Sequence, residues 1–131
     1  MRKSVLRAIK WLVLGAVVLF VAYGGWLYWL FHGGAFATSR FDSTAWSTKQ
    51  TNESVSHCYR GGMAKHVKEQ VLRPGLKREE VLRILGQPDF EKPDEVHYVL
   101  GMCSGLRIDF DGLHVYFNST GELERVAILQ H

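Results

Sequence analysis

Charge is missing where a soluble domain would carry it. From Trp11 to Phe31 there are 21 residues without a charged side chain, and all thirteen acidic residues follow that run. Cysteine is scarce: Cys58 and Cys103 are the only two. Two cysteines exclude a disulfide-dense scaffold. Neither lies near the end of the apolar run, which excludes a lipoprotein anchor. No glycine-rich loop follows a strand to open a helix, so nucleotide binding has no support. No Ser or Cys stands with a base in a recognisable catalytic motif. The paired carboxylates Glu79-Glu80 and Asp94-Glu95 are sequence neighbours that point apart. These absences leave a non-enzymatic protein, with no cofactor and no metal, as the reading.

What is present begins with the run itself. At 1.5 Å per residue, 21 residues reach roughly 30 Å, the thickness of a bilayer's hydrocarbon core. Aromatics mark both ends, with Trp11 on one side and Trp26, Tyr28, Trp29 and Phe31 on the other, as membrane interfaces favour. Arg2, Lys3, Arg7 and Lys10 precede the run, and only Arg40 and Lys49 follow within a similar distance. The basic excess places residues 1–10 in the cytoplasm and the remainder in the periplasm. The run exceeds the h-region of an ordinary signal peptide, so residues 11–31 read as a retained anchor in the bacterial inner membrane. Cleavage after Ala35-Phe36-Ala37 is the alternative.

The net charge of +3 belongs to the wrong end for a nucleic-acid binder. Four of sixteen Lys and Arg precede the run, so the exported part carries 12 − 13 = −1. A nucleic-acid-binding domain keeps its basic patch on the folded part. Both cysteines fall in the exported region, where a Cys58–Cys103 disulfide is expected to form and persist; two buried thiols are the alternative.

Residues 32–57 are rich in Ser, Thr, Asn and Gly without a sustained period, and read as a linker. The folded domain is then residues 58–131. Residues 63–72 carry Met63, Val67, Val71 and Leu72 at helical spacing. A second, shorter helix lies between Pro74-Gly75 and Gly86-Gln87-Pro88, with Val81, Leu82 and Leu85 as its stripe. Lys77 is a poor N-cap, but Glu80 supplies half of a capping box. Gly86 closes the helix at positive φ, and Pro88 prevents its continuation. Three stretches alternate as strands: 95–100, 113–118 and 122–129. Asn118 to Gly121 reads as a hairpin turn, and Asp111-Gly112 as a type I′ turn signal. Leu106, Ile108 and Phe110 alternate too, so periodicity allows a fourth strand there.

The run "PGLKREEVLRILGQPD … HYVLG … LHVYFNSTGELERVAI" resembles the SmpA/OmlA (BamE-like) domain family over about residues 70–130. The resemblance implies an α+β fold, two short helices packed on a three-stranded antiparallel sheet. It makes residues 101–112 a long connection, and it implies binding rather than turnover. The apolar anchor in place of a lipid anchor departs from the family, so membership of the barrel-assembly machine is not implied.

Two functions fit. One is an envelope scaffold or binding module that docks a periplasmic protein. The other is an inhibitor or immunity protein that neutralises a toxin or secreted enzyme. The candidate contact residues are Leu106, Arg107, Ile108, Asp109 and Phe110, a mixture suited to an interface on a connection long enough to be functional. Tyr59, Arg60 and Arg107 form a weaker recognition candidate, against a solvated surface. His97, Asp109, Asp111 and His114 are the only metal candidates, and their spacing sets no geometry.

Overall fold

The structure, a computed structural model, describes residues 2–31, 34–48, 57–105 and 108–130. Two compact units divide the chain, Met1–His32 and Gly33–His131. The first is one helix, α1 (Arg2–Phe31). Its Ser4–Phe31 part is long and apolar enough to cross a membrane. Most of its large apolar side chains are exposed within the unit.

The second unit starts earlier than the composition indicates. A 3₁₀ turn at Gly34–Phe36 and a short helix α2 (Ser43–Ser47) precede the region read as the domain. Asp42 caps α2, its side chain accepting from the Ala45 N–H at 2.8 Å. Phe36 and Trp46 are buried in the common core. Residues 34–48 are therefore part of the domain and not a linker. Two well-placed aromatics anchor a segment too short and too polar to show a period. Residues 49–56 lie outside the described part.

Helix α3 (Gly61–His66) runs into a π-helical turn at Val67–Val71, which ends the expected 63–72 helix one residue early. Helix α4 (Arg78–Leu85) follows. Its brackets are as the sequence indicates. The Lys77 N–H donates to Glu80 Oε2 at 2.9 Å, and the Lys77 side chain makes no return bond, having no acceptor. Gly86 sits at φ +77°, ψ −166°, a region open to glycine alone. The Gly86 carbonyl accepts from the Tyr98 hydroxyl at 2.9 Å, which fastens the helix end to the sheet.

The sheet is antiparallel with four strands in sequence order, β1 (Phe90–Lys92), β2 (Glu95–Gly101), β3 (Asp111–Phe117) and β4 (Leu123–Leu129). The class is α+β as expected, but the three-stranded sheet is corrected to four. The extra strand is β1, and not the 106–110 segment. Lys92 pairs with Glu95 across the Pro93-Asp94 turn, and three exposed residues leave no alternation to read. Asp111-Gly112 is not a turn either; these residues open β3.

Val96, Tyr98, Leu100, Leu113, Val115, Phe117 and Leu123 cover the inner face. They pack in one cluster with Phe36, Trp46, Met63, Val67, Val81 and Leu85. The hairpin between β3 and β4 turns on Asn118, whose Oδ1 accepts from the N–H groups of Thr120 and Glu122.

Candidate functional site

The connection between β2 and β3 is held at its base by two devices. Cys58 and Cys103 form a disulfide, with Cα atoms 4.6 Å apart, which closes a 45-residue separation. Asp111 supplies the second. It is fully buried, and its carboxylate accepts from the Cys103 N–H at 2.8 Å, the Ser104 N–H at 2.7 Å and the Ser104 hydroxyl. A buried carboxylate needs such donors to offset its desolvation, and here they come from the loop that it fixes.

Beyond that base the segment turns outward. Ile108 is 77% exposed and Phe110 39%. Asp109 accepts from the Phe110 N–H at 2.7 Å and is otherwise exposed. Leu106 and Arg107 lie outside the described residues. Of the five candidate contact residues, the structure thus places three together at the surface. None of those three fills the core.

Tyr59 and Arg60 are not a surface patch. Arg60 is a buried hub. Its Nε donates to the Trp46 carbonyl at 2.7 Å and its Nη1 to Asp89 Oδ2 at 2.6 Å. Its guanidinium lies 5.4, 5.3 and 5.9 Å from the ring centres of Trp46, Tyr59 and Tyr98. Asp89 Oδ2 also accepts from the Val99 N–H at 2.7 Å, and the Tyr59 hydroxyl donates to the Val99 carbonyl at 2.7 Å. One cation therefore ties residues 34–48, the start of α3 and β2 into a single body. Burial of the Tyr98 ring beside it raises the phenol's pKa well above its ordinary value.

The outward face of the sheet carries stacked rings. Phe90, His97 and His114 are cross-strand neighbours. Their ring centres lie 5.4 Å (Phe90–His97) and 4.1 Å (His97–His114) apart, with interplanar angles of 20° and 14°. Tyr116 continues the row and Arg125 lies over it at 4.2 Å. Gly112 makes the row possible, since a Cβ there would run into both imidazoles. Glu95 accepts from His114 Nδ1 and from Lys92 Nζ. Those two bonds, His114 first, hold its carboxyl below the usual range. Glu95 in turn raises the Lys92 ammonium. Phe90, Lys92, Glu95, His97 and His114 line a shallow concavity of about 310 Å³.

The chemistry open to this face is limited by its geometry. Both Nε2 atoms are buried over Gly112, and the imidazole faces are stacked against neighbouring rings. Of the four metal candidates, His97 and His114 meet, Asp111 is committed to the loop base, and Asp109 stands apart at the surface. Among the described residues, no three His, Cys, Asp or Glu side chains are grouped to hold a metal ion.

No family model and no curated protein matches the chain. Among solved structures, one titled as an osmotically inducible lipoprotein, OsmE, is similar, with 24% identity and a TM-score of 0.35; the match covers 47% of this chain and 72% of that one.

Proposed function

We propose that this chain is a membrane-anchored binding or scaffold module of the bacterial cell envelope, working without catalysis. Residues 11–31 are its anchor, residues 1–10 its cytoplasmic tip, and the domain from residue 34 onward stands on the periplasmic side. The SmpA/OmlA resemblance of residues 70–130 supports the same reading, with no commitment to the barrel machine. The partner is a periplasmic protein.

The observation that carries the reading is the exposure of Ile108 and Phe110 beside a fixed base. A mobile segment would lose conformational freedom on docking. One clamped by a disulfide and by Asp111 loses less, so its apolar contacts count more fully toward affinity.

The test is photo-crosslinking in intact cells from a reactive residue at position 109. A discrete adduct is expected, and Ile108→Ser with Phe110→Ser should abolish it. Each substitution should leave stability within about 0.5 kcal/mol, as for surface sites generally. No adduct, or one indifferent to both substitutions, moves the interface elsewhere.

A further inference from the structure

The two edges of the sheet are finished differently. β1 is three residues long, and Arg78 closes it off, donating to the Lys92 carbonyl at 2.7 Å and the Pro93 carbonyl at 3.0 Å. Shortness and charge are the devices that keep a sheet edge from pairing. β4 has seven residues. Its start is covered: Leu123 exchanges main-chain bonds with Leu76 and Gly75 at 2.7 and 2.9 Å. Its second half, Val126 to Leu129, carries no charge and no proline.

The register shows which groups that half leaves on the edge. The Phe117 N–H bonds to the Asp94 carbonyl, so odd-numbered β3 residues bond toward β2 and even-numbered ones toward β4. His114 pairs with Ala127 and Gly112 with Leu129, so those β4 residues bond inward. Val126 and Ile128 therefore aim their N–H and C=O groups off the sheet. Among the described residues, no main chain lies along them.

We propose that this edge pairs with the same edge of a second copy, antiparallel about a two-fold axis through Ala127. The order of groups and side chains about Ala127 is self-complementary, which favours that occupant. About this axis Val126 stands opposite the partner's Ile128, and the reverse, so all the outward N–H and C=O groups of both residues are used. Ala127 meets the partner's Ala127, the smallest side chain on the strand, and Arg125 meets the partner's Leu129. No like charges face each other. Leu129, partly exposed in one copy, is covered by the aliphatic part of Arg125. Isologous pairing of this kind closes after two copies. The inference does not depend on the partner proposed above.

Two tests use the full-length chain in its membrane. Two differently tagged copies should co-purify. Ala127→Asp in both copies places two carboxylates across the axis and should cut co-purification at least about tenfold, a loss of about 1.4 kcal/mol. Ala127→Asp in one copy with Ala127→Lys in the other should restore it. Separately, Ala127→Cys should form a disulfide-linked dimer under mild oxidation, while Lys92→Cys on the opposite edge should not. The proposal is overturned if the unaltered copies fail to co-purify and Ala127→Cys stays monomeric. It is overturned equally if the double-Asp pair persists, or if position 127 links to a different protein.

Discussion

Asp111 decides where the 102–110 segment leaves the sheet. It is a buried carboxylate that accepts from two main-chain donors and one hydroxyl. Asp111→Ala should strand those donors and lower stability by about 2–4 kcal/mol, measured by denaturant titration. Glu95 makes a different claim, about pH. Its folded pKa is depressed by His114 and Lys92, so its contribution is present above the ordinary Glu value near 4.3 and is lost as pH falls through the folded value. Glu95→Gln should flatten the stability curve below about pH 5; thermal melts across that range decide it. Neither role is visible in sequence. An Asp before Gly has the composition of a turn, and a Tyr-Arg pair after a Cys has the composition of a surface. What makes Asp111 and Arg60 central is the three-dimensional meeting of segments seven or more residues apart, which no local spacing records.

Elements were legible in proportion to their length and regularity. β2 and β3 alternate over 96–100 and 113–117 with the inward sets on the expected faces, whereas β4 turns Leu123, Val126 and Ile128 to the core across a register irregularity near its start. α4 was legible through its brackets. Gly86→Val should cost more than about 1 kcal/mol, with the cost coming from the backbone, because no atom would touch an added Cβ. Lys77→Thr should complete the capping box with Glu80 and stabilise by about 0.5–1 kcal/mol. Chemical denaturation of both variants measures them, and a less stable Lys77→Thr means the helix starts elsewhere. β1 and α2 were missed for one physical reason. A three-residue strand and a five-residue helix each hold fewer than two full repeats of their pattern, so tertiary contacts decide their structure.

The molecule as a whole is one apolar helix and one α+β domain. The distribution of basic residues sets the orientation expected for that helix. A reporter active only in the periplasm, fused after residue 131, should be active, and cytoplasmic activity reverses the topology. The domain's true start was hidden by its composition. A Ser- and Thr-rich stretch has the look of spacer, and two buried aromatics, Phe36 and Trp46, make it structure.

Trp46 brings an optical consequence. The chain has four tryptophans, and Trp11, Trp26 and Trp29 all belong to α1. A fragment of residues 34–131 therefore has a single indole emitter, fully buried and 5.8 Å from the Tyr98 ring. Its fluorescence should be blue-shifted and fed by energy transfer from that tyrosine. Undocking of residues 34–48 would extinguish both signals while the sheet's circular dichroism persisted. Light alone would then separate the fastening of this short segment from the folding of the sheet beneath it.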